Sequence, residues 1–211
     1  MTNVIELHSV SKKYPKSSQF SLEDISFSIK KGEKLGVFGP NGAGKTTLMS
    51  ILCRIIYQTS GDVNYTGLEG QSVTSKEFLN SIGFVPQDFS FYSELSPYQN
   101  LRYFGTLYGI QKTELVRRIE ELMTVLGLHH VMHNKVETFS GGMKRRINLL
   151  AGVLHDPRIL FLDEPTAVLV PQEVDELFTT LKRLVAEGAT VIFISHKLDE
   201  VLAYCDEITV I

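Results

Sequence analysis

The chain has 211 residues, of which 43% are hydrophobic and 21% charged, and it carries a formal net charge of −3. That length can bury a real core without staples, and the composition excludes wholesale disorder. The longest apolar runs, such as Leu149–Leu154 and Val191–Ile194, fall far short of the ~18 residues that suggest a membrane span. The N-terminus lacks the basic start and apolar run of a signal peptide. Cys53 and Cys205 stand alone, which argues against a disulfide scaffold or a zinc site and fits a reducing compartment.

The small net charge hides a split. Residues 97–150 hold eight basic and four acidic side chains, whereas residues 151–211 hold four basic and eleven acidic. The whole chain lacks the basic footprint of a nucleic-acid binder. The basic middle reads as a solvated helix face or a local docking surface.

In chain order, Val4–Val10 and Ile25–Ile29 read as strands joined by the Lys12–Ser18 turn. Lys34–Phe38 is a short strand running into a glycine loop. Leu48, Ile51, Leu52 and Ile55 then recur at helical spacing. Gly61–Tyr65 and Ile82–Val85 are further strands. Ser96 is an N-cap with Pro97 at the first helical position, and the helix offers Leu101, Phe104, Leu107 and Tyr108. Thr113–Leu126 puts Leu115, Ile119, Leu122, Met123 and Leu126 on one stripe, and a third helix starts near Ser140. Ile159–Leu162 reads as a strand buried on both faces. Pro171–Glu187 is an amphipathic helix, followed by strands at Thr190–Ser195 and Glu207–Ile211. The expected fold class is α/β, with residues 1–87 and 153–211 as core and a helical insertion at 88–152.

Two motifs carry chemistry. Gly39-Pro40-Asn41-Gly42-Ala43-Gly44-Lys45-Thr46 fits G-x-x-x-x-G-K-[ST], the phosphate loop. Its glycines let successive N–H groups face phosphate oxygens, and the helix that follows adds its positive end. Lys45 supplies a point charge, Thr46 a hydroxyl for Mg²⁺, and Thr47 completes the binding run. Ile159–Asp163 then ends a buried strand in an acid that can hold Mg²⁺, leaving Glu164 free to orient an attacking water. No guanine-reading Asn-Lys-x-Asp occurs: Asn134-Lys135-Val136-Glu137 ends in Glu.

Ser140-Gly141-Gly142 opens a helix about 95 residues after Lys45 and forms a second anion-binding turn. With the phosphate loop, Asp163-Glu164, Gln87 after Val85-Pro86, and His196 after Ile194-Ser195, the set is highly specific. On these residues the sequence resembles the ATP-binding subunit of ABC transporters over nearly its whole length. It is most similar to the export-type (ABC-2-like) subfamily, where Ser-Gly-Gly-Met-Lys-Arg-Arg is typical.

The resemblance implies a P-loop NTPase core of mixed or parallel sheet flanked by helices, an N-terminal antiparallel β region, and a helical signature subdomain. It implies ATP hydrolysis with Mg²⁺, and two such domains packed head to tail, as a homodimer or a heterodimer. The Ser140–Gly142 turn of one would close on the phosphate loop of the other. Gln87 would reach Mg²⁺ beside Thr46 and Asp163, His196 would contact the γ-phosphate, and Tyr14 would stack on adenine. The insertion would meet a transmembrane permease, placing the chain peripherally on the cytoplasmic face of the membrane and touching the membrane only through the permease, with no nucleic-acid partner. Alternatives are a catalytically degenerate regulatory subunit of a heterodimer, or a soluble non-transport ATPase of the same type.

One loop departs from the family. After Asp163–Ala167 the usual Gly-Leu-Asp-Pro is replaced by Val168-Leu169-Val170-Pro171. Val170 at the helix N-cap cannot accept an amide hydrogen bond, an expected loss of ~1 kcal/mol. The chain also stops within an apparent strand at Ile211, which reads as a trimmed or unusually short version of such a domain.

Overall fold

The computed structural model describes residues 2–66 and 75–211. Strands β1 (Asn3–Lys12), β2 (Leu22–Lys30) and β3 (Lys34–Phe38) lead into helix α1 (Lys45–Leu52). Strand β4 (Ser60–Tyr65), helix α2 (Ser75–Ser81) and strand β5 (Ile82–Val85) follow. Next come helices α3 (Pro97–Leu107) and α4 (Lys112–Val125), two short 3-10 turns, and α5 (Gly141–Val153). The chain closes with β6 (Ile159–Asp163), α6 (Pro171–Ala186), β7 (Thr190–Ser195), α7 (Leu198–Tyr204) and β8 (Glu207–Val210).

The strands form two sheets. An antiparallel sheet has the order β2-β1-β4, and a parallel sheet has the order β5-β6-β7-β3-β8. The expected α/β architecture is therefore observed. Every residue of β6 and β7 is buried, which explains their unbroken apolar runs.

Two hydrophobic clusters sit on opposite sides of the parallel sheet. One joins α1 and the antiparallel sheet to Leu35, Val37, Phe161 and Ile192. The other joins α3, α4 and α5 to Leu160, Leu162, Phe193, and Phe178 of α6. The helical segment thus shares its core with the sheet instead of enclosing a separate one. Gly83 of β5 and Gly152 of α5 make this close approach possible, because a Cβ on Gly83 would strike the carbonyl of Gly152.

Two side-chain expectations fail. Helix α1 ends at Leu52, Arg54 turns left-handed at φ 55°, and Ile55 stands 60% exposed outside the helix. Leu107, at the end of α3, is 66% exposed, because that last turn projects beyond the core. No helix among the described residues is long and apolar enough to cross a membrane.

Candidate active site

The parallel register builds the site. Phe38 pairs with Ser195, Asp163 with Ile194, and Val85 with Leu162. The carboxyl ends of β3, β5, β6 and β7 therefore open onto one edge, where ligands bind in open α/β sheets. The loops leaving those ends carry the phosphate loop, Gln87, Asp163-Glu164 and His196. They line a cleft of about 440 Å³ together with Asn41, Gly42, Gly44, Lys45, Thr46 and Thr47.

Backbone geometry fixes the phosphate loop. Gly42 and Gly44 have φ of 86° and 96°, a region that favours glycine. A Cβ on Gly44 would also strike the carbonyl of Ser21, so the β1–β2 turn seats this loop. Lys45 is buried, and its Nζ donates to Gly39 O at 2.8 Å and Pro40 O at 2.9 Å. It closes the loop on itself, leaving the loop amides free of side-chain competition.

The acids sit opposite. Asp163 and Glu164 are each 7% exposed. Burial, and then the neighbouring Glu164, push the Asp163 carboxyl above the usual range, partly offset by Arg145 and Lys45. A 2.8 Å hydrogen bond joins Nδ1 of His196 to Oε2 of Glu164. An ionised Glu164 can only accept, so the bond places the imidazole proton on Nδ1. Glu164 itself adopts φ 46°, an uncommon conformation for a non-glycine residue.

Tyr14 does not line the cleft. It lies 40% exposed at its border, with its hydroxyl 3.4 Å from Thr47 Oγ1 and the Lys12 ammonium 5.4 Å from its ring centre. The Ser140–Gly142 turn is also outside the cleft. Ser140 caps α5 by accepting from Met143 N at 3.2 Å, and Ser140 and Gly141 are exposed. Gly142 is buried against the Glu173 carboxylate, and Gly141 faces Val168. Within one chain, then, the second anion-binding turn abuts the departing loop and the start of α6, away from Lys45.

The Val170 cap is half formed. The Val170 side chain accepts nothing, but its own N–H donates to Glu173 Oε2 at 3.2 Å. Glu173 thus supplies the reciprocal half of a capping box.

Several residues beyond the motifs shape the site. Arg145 is buried and donates to backbone carbonyls of both the Gln87 and the Glu164 loops. Asn148 Nδ2 donates to Pro86 O at 3.0 Å, and its Oδ1 accepts from Ser90 N at 3.3 Å. Thr166, fully buried, donates to Glu200 Oε2 at 2.5 Å, and Glu200 pairs with Lys197 at 3.0 Å. That network ties the loop after Glu164 to the residue after His196. A signal for Arg145 exists in the sequence: Gly142, Arg145, Leu149 and Gly152 fall on one helical stripe, and all four are buried.

Known proteins resemble this chain. Residues 22–167 match the family described as ABC transporter. The chain is 39% identical over 208 residues to the linearmycin resistance ATP-binding protein LnrL of Bacillus subtilis, covering 99% of this chain and 66% of that protein. It is 34% identical to the probable multidrug ABC transporter ATP-binding protein YbhF of Escherichia coli, covering 97% of this chain and 35% of that one. The molybdate/tungstate import ATP-binding protein WtpC of Pyrococcus abyssi is 33% identical, over 98% of this chain and 59% of its own length. Among solved structures, cbiO1 from Clostridium perfringens, part of the ABC transporter complex cbiONQ, superposes with a TM-score of 0.88 at 27% identity. That match covers 100% of this chain and 85% of the other.

Proposed function

The chain belongs to the ABC transporter family, as an ATP-binding domain of the kind that hydrolyses ATP, and from that premise we propose that it powers a membrane permease, in the direction of export. Its relatives include proteins named for resistance and multidrug transport as well as one named for import. The Ser-Gly-Gly-Met-Lys-Arg-Arg run supports the first group. We assign residues 1–87 and 153–211 to the ATP-binding core and 88–152 to the helical insertion that meets the permease. The chain then works peripherally, at the cytoplasmic face.

One observation carries the assignment of roles: four strand ends deliver Lys45, Thr46, Gln87, Asp163, Glu164 and His196 into one cleft, while the Ser140 turn is exposed outside it. The cleft is a half-site. A second domain, identical or related, supplies its own Ser140–Gly142 turn to close over the nucleotide, and Tyr14 at the border faces the adenine. The loop amides and Lys45 take the phosphate charge. Thr46, Gln87 and Asp163 offer only oxygen donors, the chemistry that suits Mg²⁺, and the raised Asp163 carboxyl has most to gain from a cation. When bound there, Mg²⁺ neutralises phosphate charge.

Glu164 orients the attacking water. In the present arrangement His196 holds its carboxylate, and on ATP binding His196 contacts the γ-phosphate. Hydrolysis is then mostly positioning and charge stabilisation. Glu164→Gln should bind ATP with near-native affinity and lose at least about a hundredfold in turnover, as expected for a group acting only in the transition state. A steady-state phosphate-release assay beside an ATP-binding titration checks this. Near-normal turnover removes Glu164 from the role.

A further inference from the structure

The guanidinium of Arg145 has five N–H donors, and all five are used on backbone carbonyls. Nε donates to Pro165 O at 2.8 Å. One terminal nitrogen donates to Pro86 O at 2.8 Å and Gln87 O at 3.1 Å. The other donates to Asp163 O at 2.8 Å and Glu164 O at 2.9 Å. The side chain is 3% exposed, and no carboxylate pairs with it directly among the described residues. Burial lowers its basicity to about 10, which leaves it charged at neutral pH.

Such a group is costly to bury unless it is hydrogen-bonded, and five carbonyls supply the bonds here. Three successive carbonyls, Asp163, Glu164 and Pro165, accept from this one guanidinium, and Glu164 between them sits at φ 46°. Residues in such backbone regions persist where surrounding structure over-determines them. Arg145 supplies that constraint. With its remaining donors it holds the two carbonyls that precede and belong to Gln87. The two loops leave different strands, β5 and β6, and the guanidinium fixes the spacing between them. It also projects from α5, the helix whose N-terminus presents Ser140 and Gly141.

We propose that Arg145 is a positioning residue for ATP hydrolysis: it holds Glu164 in its left-handed conformation and locks the Gln87 loop to it, so that a shift of α5 moves both together. This rests on the reading of Glu164 as the water-orienting group. Arg145 touches neither the phosphate loop nor Lys45, so its effect falls more on turnover than on nucleotide affinity. A lysine keeps the charge but offers three donors from one point, and cannot span five carbonyls in a plane.

The test uses Arg145→Lys and Arg145→Gln in the full chain, read by ATP affinity, ATP turnover and backbone hydrogen exchange. Both variants should bind ATP with affinity unchanged within about threefold and lose about tenfold to a hundredfold in kcat, the scale of a misplacement near 1 Å. Exchange should quicken at residues 87–88 and at Glu164, Thr166 and Ala167 together, with 41–46 unchanged. Unchanged turnover overturns the proposal, as does faster exchange in only one of the two segments. So does a loss of ATP affinity in step with turnover in both variants, which marks a general scaffold role. The parallel Glu164→Gln assay separates the two readings. If that variant turns over normally while both segments loosen in the Arg145 variants, the role of Glu164 falls and the clamp stands.

Discussion

Lys45 shows how one side chain serves two purposes in succession. Its ammonium already donates to Gly39 O and Pro40 O, which braces the loop and leaves one N–H for a ligand. In the proposed role, a bound phosphate then meets a charge whose position costs little to fix. Lys45→Ala removes both the charge and the brace. ATP affinity should fall by about a hundredfold or more, the scale of lost charge-assisted hydrogen bonds, while the apo chain keeps its fold. A fluorescent-nucleotide titration with a thermal melt checks both halves, and retained affinity would place the nucleotide elsewhere. This residue was legible in the sequence, because the phosphate loop is a local motif whose neighbours in the chain are its neighbours in space. Arg145 was not. In the run Lys144-Arg145-Arg146 a charge reads as a solvated face, and only the phase of α5 distinguishes the buried middle residue. The left-handed Glu164 was equally hidden, although the proline after it already disfavours the right-handed helical region.

At the scale of elements, helix ends decide the chemistry. Helix α3 begins with a full capping box, in which Ser96 accepts from Gln99 N at 3.2 Å and Gln99 returns the bond to Ser96 N at 2.9 Å. Helix α6 begins with only the return half, from Glu173. Restoring the acceptor should help: Val170→Asp is expected to stabilise the chain by about 0.5–1 kcal/mol, tempered by the nearby Glu173 carboxylate. It should also tighten ATP-driven pairing of two chains, because Val168 of this loop lies against Gly141. Chemical denaturation and sedimentation at saturating ATP measure the two effects. No change in either would mean that the loop is neutral to both. The boundaries of the longer elements followed from apolar periodicity and caps, since both are local, whereas α2 and α7, seven residues each, are too short to show a helical stripe and were not legible. The exceptions, Ile55 and Leu107, continue the helical spacing past the point where a partner surface exists, and the sequence does not mark where the core ends.

The basic stretch is also resolved at this scale. Arg117 and Arg118 pair with Glu114 and Glu121 on the surface of α4. Arg146 pairs with Glu176 across to α6, while Arg145 is withdrawn entirely. Part of the apparent positive surface is therefore spent internally, and such exposed pairs contribute little to stability.

Across the whole molecule, the helical insertion and the sheet share one hydrophobic cluster. They should therefore unfold together. Ile119 of α4 is fully buried in that cluster, and Ile119→Ala should cost about 2–5 kcal/mol. Urea unfolding followed by far-ultraviolet and near-ultraviolet dichroism should give one displaced, coincident transition. Separate transitions would mean that the insertion is an independent unit. The same architecture keeps the Ser140 turn out of the lining of the cleft. In the proposed function, the cleft of one chain is half of a site.

That half-site is the central claim, and it has a direct measurement. Glu164→Gln, purified and saturated with Mg²⁺ and ATP, should scatter light at twice the monomer mass and return to monomer mass when the nucleotide is removed. Adding Ser140→Arg, which blocks the exposed turn, should keep the chain monomeric with ATP still bound. A Glu164→Gln chain that stays monomeric at saturating ATP, or pairs equally well with Ser140→Arg present, would contradict it.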